Sequence, residues 1–330
     1  MDILEDLTFR GLANQMTEGL EDRLRQGPIV LYNGFDPTSS SMQVGNLVVI
    51  LLLRRFQLAG HTPIALVGGG TGLIGDPAGK SEERSLNAEE TVREWSELFR
   101  TQLEWYLDFD AKSNAARIVN NYDWLSRAPL IEFLRDVGKH FSVPAMLAKE
   151  SVKARLEAGI SFTEFTYMIL QAYDFLRLHE DHGCQLQTGG SDQWGNITAG
   201  TELIRRVGSL AGVERRAFGL TCPLVTKADG TKFGKTEAGT VWLDGSRTTP
   251  YEFFQFWVNA DDRNAVDYLK FFTFLEHDAI RDLEAAAAAA PQEREAQRTL
   301  AREVTALVHG AEAARKAEEQ QRNACTALPS

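Results

Sequence analysis

The strongest constraint on the fold is a strand, loop, helix and strand in succession near the N-terminus. Residues 29–32 form a short apolar run that predicts a buried strand, and residues 63–67 predict a second one. Between them, a turn-rich segment at 33–38 leads into a helix over about 45–59. Because a strand that is followed by a crossover helix returns to pair in parallel, this order predicts an α/β fold with a parallel sheet.

The rest of the chain first continues with helices and further strands and then becomes all helical. Residues 80–180 are mostly helical in pattern and predict a helical insertion, because strands resume at 184–187 and near 218–220. From residue 249 onward the chain is helical, and it contains an alanine run that favours helix. We therefore predict an α/β domain over 1–220, a linker over 221–248, an all-helical domain over 249–320 and an irregular tail over 321–330.

Composition limits the cellular setting. A chain of 330 residues with 43% hydrophobic and 25% charged residues is typical of a soluble globular protein. The three cysteines lie far apart without a Cys-x-x-Cys pair, which indicates a reduced, cytoplasmic protein without a structural metal. The acidic N-terminus is unlike a secretory signal, and the most apolar run, 46–53, is too short to span a bilayer. The net charge of −11 leaves any nucleic-acid binding to local patches.

A glycine pair at the end of a predicted strand offers bare backbone to a ligand. Gly189 and Gly190 lack Cβ atoms, so a flat or charged molecule can approach the main chain. Ser191 and Asp192 follow as good helix N-caps, and ligands of parallel sheets bind where strands end. The alternative is an ordinary strand-to-helix loop with capping residues.

Several segments have the composition of a phosphate site. Polar donors and a glycine at the start of the helix near Gln43-Val44-Gly45-Asn46 favour an anion, although a simple capping arrangement fits them too. The Gly-x-Gly-x-x-Gly pattern at 70–75 is not a dinucleotide fingerprint, because Asp76-Pro77 interrupts the helix that should follow. Positively charged side chains on loops can close over a polyphosphate in the transition state. The alternative is that these side chains are ordinary solvated surface residues. The candidate cations are Lys80, Arg84, Lys232 and Lys235.

The predicted helix over about 163–177 carries a polar stripe. Tyr167, Gln171 and Asp174 are spaced i, i+4 and i+7, so they share one face of an otherwise apolar helix. Such a stripe either faces water or lines a pocket. In the second case the pocket recognises a small molecule with several polar groups.

Five motifs in this order resemble those of the bacterial tyrosyl-tRNA synthetases, which are class I aminoacyl-tRNA synthetases. The motifs lie at 34–38, 71–77, 165–174, 189–196 and 232–236, and the resemblance extends from Tyr32 to about residue 320. It implies a Rossmann-like catalytic domain with a helical insertion, followed by an α-helical domain that interacts with tRNA.

The resemblance also implies an activity and its partners. A tyrosine–tRNA ligase uses ATP to convert L-tyrosine to tyrosyl-adenylate, releases pyrophosphate, and transfers the tyrosyl group to the 3′ end of tRNA(Tyr). ATP is a substrate here, and Mg²⁺ would accompany it for electrostatic reasons. The family further implies a cytoplasmic homodimer with its interface around 139–144, although this segment is equally consistent with a core.

Residue roles are carried over from the matching motifs. Tyr32 and Asp174 would bind the phenol hydroxyl, which disfavours phenylalanine because it would leave both groups unpaired. The α-ammonium group would be held by Asp76, Tyr167 and Gln171, with Asn121 nearby. The amino acid and its carboxylate would be positioned by Gln187 and Gln193. ATP would be bound by Gly34, Asp36, Gly45, Gly190, Asp192 and Lys235. The phosphates would be stabilised during catalysis by Thr38, Gln43, Asn46, Lys80, Arg84, Lys232, Lys235 and Thr236.

The sequence departs from the family pattern in two places. The first class I motif usually reads His-x-Gly-His, whereas Gln43 and Asn46 stand at the histidine positions; their amides can still donate hydrogen bonds to phosphate oxygens. Bacterial members typically continue into a small domain that resembles ribosomal protein S4, whereas this sequence ends at Ser330. Two alternatives therefore stay open: a tryptophan-specific class I synthetase, and a catalytically impaired synthetase-like RNA-binding protein.

Overall fold

A computed structural model describes residues 2–78, 86–156, 159–228, 230, 233–236 and 239–326. The chain forms two compact units. The first unit comprises residues 1–4, 13–40 and 49–224, and the second comprises residues 5–12, 41–48 and 225–330. Each unit is described by itself below.

The first unit is built on a six-stranded sheet in the order β1-β6-β5-β2-β3-β4. All neighbours pair in parallel except β1, which is antiparallel to β6. This arrangement confirms the predicted parallel α/β fold. The strands are β1 Gln15–Met16, β2 Val30–Phe35, β3 Thr62–Val67, β4 Arg117–Asn120, β5 Cys184–Gly190 and β6 Phe218–Cys222.

Helices connect the strands and make up most of the remaining described chain. Those that precede β6 are α1 Ile3–Phe9, α2 Leu20–Arg25, α3 Val44–Leu58, α4 Glu89–Glu104, α5 Tyr122–Leu125, α6 Leu130–Asp136, α7 Val143–Leu147, α8 Glu150–Leu156, α9 Phe162–His182 and α10 Trp194–Leu210. The second unit contains a small hairpin, β7 Lys235–Thr236 with β8 Gly239–Thr240. It also contains α11 Pro250–Val258, α12 Asp262–Phe272, α13 His277–Ala289, α14 Glu295–His309 and α15 Ala311–Thr326.

The long helix α9 has well-defined ends that position its polar stripe. The Ser161 side chain caps its start by accepting the backbone N–H of Glu164 at 3.2 Å. Gly183 ends it in the left-handed conformation with φ 65°, which glycine adopts without a Cβ clash. Ala172 and Phe175 on this helix pack against Tyr32 of β2 in the core of the first unit. The helix is therefore fixed against the sheet along its central turns.

Two local predictions from the sequence are wrong. Residues 117–120, inside the predicted helical insertion, form strand β4, because Ile118 and Val119 pair with β3. The predicted irregular tail over 321–330 begins within helix α15, which continues to Thr326. Its last four residues lie outside the described chain.

The second unit is held together by an aromatic cluster. Phe233 is 3% exposed, and its ring lies 5.1 Å from that of Tyr268 and 5.3 Å from that of Phe272.

Thr249 and Glu252 form a reciprocal capping box at the start of α11. None of the helices in the described ranges combines the length and apolar character needed to cross a membrane.

Candidate active site

Polar side chains from four parts of the first unit are joined by hydrogen bonds beyond the carboxyl ends of its strands. They come from the end of β2, the loop after β3, the inward face of α9, and the segment between β5 and α10. This edge is where ligands of parallel α/β sheets bind. The side chains concerned are Asp36, Thr71, Asp76, Tyr167, Gln171 and Gln193.

Asp174 is the most deeply buried residue of the polar stripe, and only 1% of its surface is exposed. One carboxylate oxygen accepts the indole N–H of Trp124 at 2.7 Å, and the other accepts Asn121 Nδ2–H at 2.8 Å. Burial raises the pKa of Asp174 to about 8, although these two hydrogen bonds oppose the rise. The stripe therefore lines the protein interior at this position, which removes the water-facing alternative.

Tyr32 adds an unsatisfied hydroxyl to the same region. The residue is 1% exposed, its ring lies 5.2 Å from that of Phe175, and its hydroxyl has no hydrogen-bond partner within the described structure. Burial raises the pKa of Tyr32, and the nearby Asp174 carboxylate raises it further. A buried hydroxyl without a partner is costly, so a ligand that supplied one would gain affinity here.

A second network surrounds the side chains assigned to the ammonium and carboxylate groups. Gln193 Nε2–H donates to Asp76 at 2.6 Å, and Gln171 Nε2–H donates to Gln193 Oε1 at 3.2 Å. Asn196 Nδ2 donates to Gln171 at 3.0 Å and to Gln193 at 3.2 Å. Gln187 is 2% exposed, and its Oε1 atom has no partner within the described structure. Gln193 therefore connects the Asp76 carboxylate to the amides of Gln171 and Asn196.

Asp36 is the point where β2 meets helix α9. One of its oxygens accepts the Tyr167 hydroxyl at 2.7 Å, and the other accepts the Thr71 hydroxyl at the same distance. Burial raises the pKa of Tyr167, and Asp36 is the largest of the nearby charges that raise it further. A Cβ atom on Gly68 would lie 1.9 Å from the Asp36 carboxylate, so only glycine permits this approach.

The Gly189-Gly190 pair leaves space for the side chains that follow it. A Cβ atom on Gly190 would lie 2.8 Å from the Asp192 carboxylate, and one on Gly189 would lie 3.1 Å from Gln193. The prediction that Ser191 or Asp192 caps the following helix is wrong. Both residues lie in a 3₁₀ turn, and α10 begins after Gln193, which makes no side-chain capping bond.

Two of the predicted phosphate-binding motifs meet in the second unit. Asn46 Oδ1 accepts the backbone N–H of Gln43 at 3.0 Å, so its oxygen caps the start of α3. Gly234 has φ 78°, and a Cβ atom there would lie 2.7 Å from Val44 and 3.7 Å from the backbone N of Gly45. The glycine thus brings the loop before β7 against the first turn of α3.

Several predicted residues lie outside the described chain or have side chains that are not described. Lys80, Arg84 and Lys232 fall outside the described residues, and the side chains of Lys235 and Thr236 are not described. Gly34 and Thr38 lie at the exposed end of β2 and just beyond it. Within the described ranges, no group of three or more His, Cys, Asp or Glu side chains has the arrangement of a metal site.

Sequence reasoning missed three residues of the network. Thr71 and Asn196 lie inside motifs that were recognised, but nothing in their spacing marks them as contacts of Asp36 and Gln171. Trp124 lies three residues after Asn121, which is the spacing that places two side chains on one helical face. That periodicity is the one signal that could have indicated its contact with Asp174.

Comparison with known proteins agrees with the fold and identifies the family. A family model described as "tRNA synthetases class I (W and Y)" matches residues 24–326, and the chain belongs to this family. The tyrosine–tRNA ligase of Bacillus caldotenax is 63% identical over 319 residues, which is 96% of this chain and 75% of that protein. The tyrosine–tRNA ligase 1 of Bacillus subtilis strain 168 is 59% identical over 318 residues, again 96% of this chain and 75% of that protein.

A solved structure supports the same relationship. The C-terminally truncated mitochondrial tyrosyl-tRNA synthetase of Aspergillus nidulans superposes with a TM-score of 0.87 at 30% identity, covering 98% of this chain and 94% of that one. The tryptophanyl-tRNA synthetase of Encephalitozoon cuniculi has a TM-score of 0.65 at 12% identity, which is a likeness of fold alone.

Proposed function

We propose that the chain is a tyrosine–tRNA ligase, which activates L-tyrosine with ATP and transfers the tyrosyl group to the 3′ end of tRNA(Tyr). The observation that carries the choice of tyrosine is the buried Tyr32 hydroxyl without a partner, in the electrostatic field of Asp174. A substrate phenol can accept a hydrogen bond from Tyr32 and donate one to Asp174. Phenylalanine can do neither, so it would leave the Tyr32 hydroxyl unpaired and give Asp174 no donor beyond Trp124 and Asn121.

The remaining polar groups fit the other end of the amino acid. We assign the α-ammonium group to Asp76, Tyr167 and Gln171, because a carboxylate and oxygen acceptors stabilise a cation. Gln187 and Gln193 would orient the carboxylate of the substrate. Asn121, which was expected near the ammonium group, instead holds Asp174.

The first reaction step needs no general base from the protein. A carboxylate oxygen of tyrosine attacks the α-phosphorus of ATP, a C–O–P bond forms, and the bond to the β-phosphate breaks to release pyrophosphate. The adenosine part would lie against Gly34, Asp36, Gly190 and Asp192, because a flat ligand can approach the backbone where a residue has no Cβ atom. In the second step, a ribose hydroxyl at the 3′ end of tRNA(Tyr) attacks the carbonyl carbon, and AMP leaves.

Stabilisation of the phosphates is assigned to the motifs on loops and at the start of α3. Amide donors of Gln43 and Asn46, with the backbone at Gly45, would contact phosphate oxygens together with Thr38. The cations would neutralise the departing pyrophosphate, a task that Mg²⁺ bound to ATP would share. The loop group comprises Lys80, Arg84, Lys232, Lys235 and Thr236.

The test of the function is tyrosine-dependent exchange of pyrophosphate into ATP, measured beside aminoacylation of tRNA(Tyr). We expect efficient exchange with tyrosine, much weaker exchange with phenylalanine, and none above background with tryptophan. Exchange with tryptophan alone would make the chain a tryptophan-specific synthetase. A folded protein without exchange that still bound tRNA would be an impaired synthetase-like RNA-binding protein. Charging of tRNA would further test the role proposed for residues 249–320.

The pH dependence of tyrosine affinity follows from Asp174. Burial holds its pKa at about 8, so the carboxyl is mainly protonated at pH 7 in the free protein. A phenol that donates to the carboxylate favours the ionised form, so binding releases a proton and affinity rises with pH until about pH 8. Calorimetry from pH 6 to pH 8 should show tyrosine affinity rising by up to about tenfold per pH unit. The Asp174→Asn variant should show a flat profile, and a flat wild-type profile would contradict this role.

We also propose that the protein is a homodimer in which an apolar surface near 139–144 meets its copy. Helix α6 has no buried residue, although it carries large apolar side chains. Of these, Leu130, Ile131 and Leu134 are 68%, 73% and 52% exposed. Val143 at the start of α7 and Phe162 at the start of α9 are 57% and 79% exposed. A run of large apolar side chains on one face typically marks a protein interface.

The dimer is tested by sedimentation of the Ile131→Asp variant. A charge within this exposed apolar surface should shift the protein from dimer to monomer, with little effect on folding because the side chain is 73% exposed. Leu58→Asp, at a position that is 61% exposed on α3, is the matched control and should remain dimeric. A wild-type monomer, or an Ile131→Asp dimer of unchanged affinity, would refute this interface.

The cytoplasm is the proposed location. Cys184 and Cys222 are buried free thiols, which is consistent with a reducing compartment.

A further inference from the structure

A continuous line of hydrogen bonds connects the two carboxylates of the site. Asn121 Nδ2 donates to Asp174 and also to the Thr71 hydroxyl, each at 2.8 Å. The Thr71 hydroxyl in turn donates to Asp36 at 2.7 Å. Trp124 and Tyr167 extend the line at its two ends by bonding to Asp174 and Asp36. Thr71 is therefore the link between the phenol-binding acid and the acid proposed to contact adenosine.

The donor and the acceptor of each hydrogen bond along this line are fixed by the hydrogens that each group carries. Asn121 Oδ1 accepts the backbone N–H of Gly70 at 2.7 Å, which sets the amide orientation and points both Nδ2 hydrogens toward Thr71 and Asp174. A threonine hydroxyl has one hydrogen, and Thr71 Oγ1 accepts from Asn121, so this hydrogen goes to Asp36. No other arrangement satisfies all of these bonds. The line is thus a directed chain rather than a set of interchangeable contacts.

The backbone around Thr71 is built to hold this hydroxyl in place. Thr71 is 2% exposed, and its carbonyl accepts the N–H groups of Ile74 and Gly75, each at 3.0 Å. A Cβ atom on Gly68 would lie 2.6 Å from the Thr71 hydroxyl, so the glycine leaves the space that the hydroxyl occupies. Buried, fully bonded networks of this kind fix side-chain orientation more strongly than isolated hydrogen bonds do.

We propose that Thr71 is a positioning residue for tyrosine specificity: through Asn121 it holds Asp174 in the orientation that accepts the substrate phenol, and through Asp36 it ties that orientation to the adenosine side. This inference rests on the proposed function. Thr71 contacts neither the phenol nor the phosphates in this scheme. It acts on the selection of tyrosine over phenylalanine at a distance of two hydrogen bonds.

The test compares the kcat/KM ratio for tyrosine over phenylalanine in ATP–pyrophosphate exchange between wild type and Thr71→Val. Valine keeps the shape of threonine but removes the donor to Asp36 and the acceptor for Asn121. The ratio should fall by about tenfold, because Asn121 then loses one of its three anchors and Asp174 is less well oriented. Thr71→Ser keeps the hydroxyl and should retain the ratio to within about twofold. Thr71→Ala should reproduce the loss if the valine variant fails to fold.

The possible outcomes are distinct. A Thr71→Val protein whose activity falls equally with both amino acids, leaving the ratio unchanged, would show a merely structural role and overturn the inference. A Thr71→Ser protein with the same fall in ratio as valine would overturn it as well, because the hydroxyl would not matter. Absence of tyrosine-dependent exchange in the wild type would instead overturn the proposed function and this inference together.

Discussion

Replacing Asp174 with asparagine is expected to lower kcat/KM for tyrosine in ATP–pyrophosphate exchange by about a thousandfold, which corresponds to ~4 kcal/mol. The Asp174 carboxylate accepts from Trp124 through one oxygen and from Asn121 through the other. An asparagine side chain has one accepting oxygen, so its own N–H group would face one of these donors. The side chain would then turn or shift, and the substrate phenol would lose its acceptor as well as the charge.

The matched control is Asp181→Asn, on the same helix. Asp181 pairs with Arg177 at 2.7 Å, but its side chain is 44% exposed, so the pair contributes little. This variant should keep wild-type kinetics, and thermal unfolding should show that both variants are folded. Unchanged tyrosine affinity in Asp174→Asn would remove the stripe on α9 from the substrate pocket.

The features that sequence reasoning predicted correctly are those that local periodicity encodes. The apolar runs at 29–32 and 63–67 correspond to parts of strands β2 and β3, and the helix between them is α3. The spacing of Tyr167 and Asp174 places both on the buried side of α9 because a helix repeats every 3.6 residues. Such patterns depend on neighbours in the chain and need no knowledge of distant partners.

The features that were missed depend on pairing between distant residues. Strand β4 has only four residues, and its strand character comes from pairing with β3, about fifty residues earlier. Helix α10 begins after Gln193 rather than after Ser191, because a 3₁₀ turn over Ser191–Gln193 follows β5. Neither is visible as a local preference.

The candidate site shows the same difference between local sequence patterns and contacts between distant residues. The motifs carry the residues to which roles are assigned, whereas nothing in the sequence indicates which side chains orient them. Thr71 and Trp124 have no chemistry of their own in the reaction, and they matter because the fold brings them to Asp36 and Asp174. Asn121 was expected near the ammonium group, whereas its amide donates a hydrogen bond to Asp174, the residue proposed to bind the phenol.

The loop that carries Lys235 gives the second large prediction. Phe233, two residues earlier, is buried against Phe256, Trp257, Tyr268 and Phe272, so the loop has a fixed anchor in the second unit. Gly234 takes the left-handed conformation with φ 78°, and its carbonyl accepts the N–H of Val241 at 2.8 Å across the hairpin. The lysine therefore follows an anchored turn.

Lys235→Ala should lower kcat for adenylate formation by about 10²- to 10³-fold, while the dissociation constant for tyrosine stays within about twofold of the wild type. Negative charge accumulates on pyrophosphate as its bond to the α-phosphate breaks, so a cation that meets it there stabilises the transition state more than either bound substrate. Single-turnover kinetics separate the two quantities. Lys316→Ala on α15, where the side chain is 65% exposed, is the matched loss of a surface cation and should leave both unchanged. If Lys235→Ala weakened tyrosine binding and left the rate of adenylate formation intact, the lysine would belong to the amino-acid pocket, and the stabilisation of pyrophosphate would have to come from other cations.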